Sequence, residues 1–82
     1  MFFEFDTNYI ERISHLHVQE RHLYACIGSQ IVHFVDGQEQ NKIKFDSRIT
    51  AFAARDDGFL LALQDKSVIT LNASQFAATR YT

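Results

Sequence analysis

The chain repeats itself, and that constrains its fold more than any other feature. Ile13-Ser14-His15-Leu16-His17-Val18 is followed by a polar break at 19–21 and then by Leu23-Tyr24-Ala25-Cys26-Ile27. Ile49-Thr50-Ala51-Phe52-Ala53-Ala54 is followed by a polar break at 55–58 and then by Phe59-Leu60-Leu61-Ala62-Leu63. The offset between the copies is 36 residues, and it becomes 37 where Ile31-Val32-His33-Phe34 meets Val68-Ile69-Thr70-Leu71. A third echo pairs Phe3-Glu4-Phe5-Asp6-Thr7 with Ile43-Lys44-Phe45-Asp46-Ser47. A period of roughly 20–50 residues marks a solenoid, a propeller or another array, because each unit buries its apolar face only against the next.

Composition fits a packed β array. Of the 82 residues, 46% are apolar and 13% aromatic, enough to form a core. The net charge of −2 creates no broad field for phosphate backbones or anionic lipid. No basic leader or long apolar stretch follows Met1-Phe2-Phe3, so the sequence predicts neither a signal peptide nor a membrane span. The single cysteine, Cys26, has no internal disulfide partner, which points to a reducing, intracellular compartment, cytoplasm or nucleus.

Apolar segments of about five residues alternate with short polar breaks, as hairpins require. The pattern predicts strands at 2–6, 13–18, 22–27, 31–35, 42–46, 49–54, 59–64, 67–72 and 75–81. Residues 36–40 read as the loop closing the first copy, and Gly58, after Asp56-Asp57, as a turn residue with positive φ. The alanine-rich segment 73–80 also admits a short helix capped around Asn72-Ala73-Ser74. Phe59 to Leu63 is apolar at every position, which predicts a strand covered on both faces. Lys42-Ile43-Lys44-Phe45 alternates, as an outer strand should. Phe52 and Leu61 are the expected core positions.

The order of outer strand, three inner strands and outer strand, with Asp57-Gly58, Phe59-Leu60-Leu61-Ala62, Asp65 and Leu71-Asn72, resembles a WD-repeat β-propeller blade. Leu71-Asn72 and Phe34-Val35 stand where that family has Trp-Asp, Ser47-Arg48 stands where it has Gly-His, and no Trp occurs. The resemblance implies an all-β fold of two four-stranded antiparallel blades, an incomplete or assembling β-propeller. The units are a first repeat at about 2–36, a second at about 42–72, and 75–81 opening a next outer strand, all within one domain of 1–82. Rings typically need about four to eight blades. The expected chain is therefore the N-terminal part of a longer propeller, or one that closes a ring by self-association or with a partner's blades.

The candidate chemistry is sparse. His15 and His17 lie on one strand face, and a His-x-His pair can ligate metal. The second copy has Ala51 and Ala53 there, and no further ligand falls at a compact spacing, so no metal or other cofactor is expected. Cys26 sits among apolar neighbours as an inert small hydrophobe. Turn chemistry accounts for Asp56-Asp57. Lys42, Lys44 and Arg48 are the one basic stretch that could touch RNA, and they equally suit a solvated edge that resists aggregation.

The resemblance implies a non-catalytic protein-interaction scaffold working inside a larger complex. Its binding candidates are the loop residues Glu20, Arg21, Gln38, Glu39, Asp56 and Asp57. Two alternatives are an RNA-associated accessory subunit supporting an RNA-modifying enzyme through Lys42, Lys44 and Arg48, and a small metal-dependent β protein using His15 and His17.

Overall fold

The computed structural model describes residues 12–81. The strand expected at 2–6 lies outside them. Within the described residues, eight strands form two four-stranded antiparallel sheets. Sheet 1 holds β1 (Ile13–Gln19), β2 (His22–Ile27), β3 (Gln30–Val35) and β4 (Gln38–Lys44) in that order. Sheet 2 holds β5 (Ile49–Arg55), β6 (Gly58–Leu63), β7 (Val68–Asn72) and β8 (Ala77–Arg80). The fold is all-β, built from two blade-like units. No helix among the described residues is long and apolar enough to cross a membrane.

The repeat is visible in the irregularities as well as in the strands. β1 shifts register between Ile13 and His15, and β5 shifts between Ile49 and Ala51. At the shift, the Ser14 hydroxyl donates to the Cys26 carbonyl at 3.3 Å. Thr50, one repeat later, donates to the Ala62 carbonyl at 3.1 Å. A hydroxyl residue at equivalent positions thus bonds the neighbouring strand at each bulge.

The outer strand of sheet 1 differs from the sequence expectation. It runs over Gln38–Lys44 rather than 42–46. Asp36 and Gly37 have φ of 53° and 84°, the paired positive values of a two-residue type I′ turn. The chain therefore re-enters the ladder at once, with Gln38 opposite Val35, and residues 38–40 are strand rather than loop. The strand ends where Phe45 N–H turns to the Ser29 carbonyl at 2.7 Å. Ile49 N–H then bonds the Gly28 carbonyl at 3.0 Å, tying the start of sheet 2 to a turn of sheet 1. Residues 42–44, which the sequence repeat groups with the second copy, complete the first sheet. β8 completes the second sheet in the same way, as a strand and not the alternative helix.

Cross-strand partners share a face, so the register sorts the side chains. His15, His17, Tyr24, Cys26, Ile31 and His33 lie on the face of sheet 1 turned to sheet 2. Phe52, Phe59, Leu61, Ile69 and Leu71 lie on the face of sheet 2 that meets it. Ring contacts cross the junction, with Tyr24 to Phe59 at 4.5 Å and His17 to Phe59 at 5.3 Å. Tyr24, Cys26, Ile31, Ile49, Phe59, Leu61, Leu63, Ile69 and Leu71 form one buried core there, with Phe52 half-buried against it. Leu23, Ala25, Ile27, Val32 and Phe34 form a second buried cluster on the opposite face of sheet 1.

Two further expectations are corrected. β6 is not covered on both faces: Phe59, Leu61 and Leu63 are buried, but Leu60 and Ala62 are half-exposed. Gly58 does not have positive φ. It is the first residue of β6, and a Cβ there would fall 1.8 Å from the Leu71 carbonyl oxygen. Close approach of the backbone, not turn geometry, requires glycine at this position.

Candidate functional site

Three of the hairpin-loop candidates converge. The β1–β2 tip carries Glu20, which adopts a φ of 56°. The β5–β6 tip is the two-residue turn Asp56-Asp57, since Arg55 pairs with Gly58. These tips sit at the same end of neighbouring sheets because the sheets stack in the same repeat register. Between them lies a cleft of about 440 Å³ lined by Glu20, Asp56, Asp57, Asn72 and Ser74, with His22 and Tyr24 on the sheet 1 side. The Ala73 N–H bonds the Asp57 carbonyl at 3.0 Å, and the Asn72 side chain accepts from Ser74 at 2.8 Å and from the Gln75 N–H at 3.1 Å. The cleft thus presents carboxylates on ordered turns beside an aromatic and an imidazole.

The other candidates lie elsewhere. Arg21 turns to Asp36 at the β3–β4 tip, donating from Nε to both carboxylate oxygens at 3.1 and 2.9 Å and also from Nη2. Its guanidinium holds the exposed Asp36 carboxyl below the usual carboxylate range. Gln38 and Glu39 stand on outer strand β4, with Glu39 opposite Phe34, so they are not loop residues. Lys42 and Lys44 share one face of β4, opposite Val32 and Gln30. Arg48 lies in the link to sheet 2, where its carbonyl accepts from Gln64 N–H at 2.8 Å. Lys44 lines a second recess with Asp46, Asp65 and Arg80, so charges of both signs surround it.

The histidines divide into two sets. His15 and His17 are half-buried at the sheet junction, the former bonded to Ser14 Oγ at 2.9 Å and 6.4 Å from the Phe52 ring. His22 and His33 form a direct pair, Nδ1 to Nε2, at 2.9 Å. That pair was legible in the sequence only through hairpin parity. A two-residue turn at 28–29 puts 22 and 33 diagonally on one face, but the turn length had to be known first. Among the described residues no three His, Cys, Asp or Glu side chains converge as a metal site would need. Cys26 is fully buried, and burial pushes its thiol up to about 12, so it holds no thiolate near neutral pH.

No family model, curated protein or solved structure matches this chain.

Proposed function

We propose that this chain is a non-catalytic protein-interaction scaffold, two units of a WD-repeat-like propeller that work within a larger assembly. One observation carries the reading. The sheet 1 face that sheet 2 covers holds His15, His17, Tyr24, Cys26, Ile31 and His33. Its repeat-related counterpart on sheet 2 is Ala51, Ala53, Leu60, Ala62, Val68 and Thr70. Among the described residues no strand packs on that second face, and all six side chains are half-exposed or exposed. Small alanines beside Leu60 and Val68 form a flat apolar surface of the kind that takes another sheet. A further unit of the same design, from a second copy or a partner protein, would extend the stack in the register already seen once. The acidic cleft at the hairpin tips then supplies the exposed recognition surface, since stiff sheets commonly carry binding on their loops.

The reading is tested by sedimentation velocity on the purified chain over a wide concentration range. Concentration-dependent association that Ala62→Lys reduces, with the circular dichroism unchanged, is the expected result. A cooperatively folding monomer at every concentration would overturn it.

A further inference from the structure

The sheet junction contains an imidazole pair that the scaffold reading does not use. The ladder sets Tyr24 opposite His33 and His22 opposite Val35, so His33 lies diagonal to His22 on the junction face. The two imidazoles meet edge to edge, their centroids 5.1 Å apart with 14° between planes, and Nδ1 of His22 is 2.9 Å from Nε2 of His33. Tyr24 stacks on His33 at 4.6 Å and 5°. Phe76 reaches across from the β7–β8 turn of sheet 2, 5.4 Å from His33 and 6.4 Å from Tyr24. The Phe76 backbone, at the end of that turn, is in the left-handed region with φ of 49°.

The two rings differ in their access to water. His33 is 7% exposed and its Nδ1 is buried without a hydrogen-bond partner, whereas His22 is exposed. One proton between the facing nitrogens makes their hydrogen bond, whichever ring supplies it. With both rings doubly protonated, each facing nitrogen carries a hydrogen. The bond is lost and two like charges face each other.

The carboxylates near the pair lie on the His22 side. Glu20, Asp56 and Asp57 line the cleft that His22 faces. Asp36 lies close enough for a charged His22 to lower its carboxyl further, although Arg21 occupies both its oxygens. His17 on β1 pairs with Tyr24 and is a third imidazole nearby. Around His33 the groups are Tyr24, Phe76, Asn41 opposite on β4, and His22 itself, with no carboxylate among these. Burial, and then the His22 charge, hold His33 below the ordinary imidazole range.

We propose that the His22–His33 pair is an acid-operated clasp between the two sheets: neutral, it anchors the β7–β8 turn to sheet 1 through His33 and Phe76, and double protonation releases that turn. The sign follows from linkage. A histidine with a lowered folded-state value binds its proton more readily in the unfolded chain. The clasp is therefore complete above the ordinary imidazole range and weakens as pH falls from there toward the depressed value of His33. This inference does not depend on the free face of sheet 2.

The test uses the full chain, with NMR titration of the imidazoles and amide exchange across 76–80 from about pH 7.5 to about pH 5, the range in which histidine titrates. His33 is expected to titrate below the ordinary imidazole range, and exchange at 76–80 to accelerate beyond the intrinsic pH effect as His33 protonates. His22→Phe keeps a ring and removes the facing nitrogen, so the His33 midpoint should rise. His33→Phe keeps the stack on Tyr24 and removes both nitrogens, so exchange at 76–80 should lose its acid acceleration. His15→Asn should change neither readout. A His33 midpoint in or above the ordinary imidazole range, or one unmoved in His22→Phe, would overturn the clasp whether or not His33→Phe folds.

Discussion

The two sheets share a repeat, a strand order and a bulge, yet they are buried differently. In sheet 1, β2 is buried at every position from Leu23 to Ile27, and β3 from Ile31 to Phe34. In sheet 2, β6 and β7 alternate, with Leu61 and Leu71 buried but Leu60 and Thr70 half-exposed. The local sequences do not account for this, since Phe59 to Leu63 is at least as apolar as Leu23 to Ile27. Burial is set by what stacks on each face. Equivalent positions diverge as well: Phe52 packs into the junction, while Leu16, one repeat earlier, is 53% exposed. Sheet 2 thus shows one face covered by sheet 1 and the other with no strand packed on it among the described residues.

Neighbouring residues of β6 give the largest expected contrast. Leu61→Ala removes a fully buried side chain from the junction and should cost about 2–5 kcal/mol by urea unfolding. Leu60→Ala, on the open face, should cost well under that in dilute solution, rising toward it wherever the chain is assembled. Equal losses in dilute monomer would mean that the open face is covered after all.

Glycines provide the next contrast. Gly58→Ala drives a Cβ into the Leu71 carbonyl and should cost about 1–3 kcal/mol, as forced overpacking does. Gly28→Ala meets no atom within 4 Å, but φ is +63°, so about 1 kcal/mol of backbone strain is expected. Thermal melts that reverse this order would contradict the account of Gly58.

Acid acts in two pH ranges. Sheet 1 carries a sensitivity at His33, in and below the imidazole range, besides the lowered carboxylate of exposed Asp36. Sheet 2 carries one at Asp65, whose exposed carboxyl is held below its usual range first by the Ser67 hydroxyl and then by the Ser67 N–H. A lowered carboxylate value stabilises the fold above the unfolded value and loses that contribution as pH falls through the folded one. Asp65→Asn should therefore flatten the stability profile only in the carboxylate range, and His33→Phe only above it. The smallest effect belongs to Arg21→Ala. Its partner pair is solvent-exposed, so the urea midpoint should hold within error.

The candidate site also separates along this comparison. Glu20→Lys and Asp56→Lys change the cleft between the sheets and should weaken partner recovery in a pull-down. Gln38→Lys lies on outer strand β4 and should weaken it only if binding uses the edge of sheet 1. Loss with Gln38→Lys alone would move the interface to that edge.

Much of the fold was legible from the chain. Apolar segments bounded by short polar breaks locate seven of the eight strands of the described residues closely, because a strand face and a tight turn both depend on local side chains. Strand β4 was misplaced because Gln38-Glu39-Gln40-Asn41 has no apolar alternation. Its place is fixed by the positive φ pair at Asp36-Gly37 and by the partner strand. The cleft was legible in its parts, Glu20, Asp56 and Asp57, but not as a site.

The sequence by itself determined the repeat, the hairpin order and the chemistry available at each turn, since these follow from residue type and spacing. Only the tertiary structure decided which faces are covered, that Gly58 serves a backbone contact rather than a turn, and that His22 and His33 touch. Each of these depends on how one strand or sheet is set against another, through turn lengths and stacking distances that residue type and spacing alone do not give.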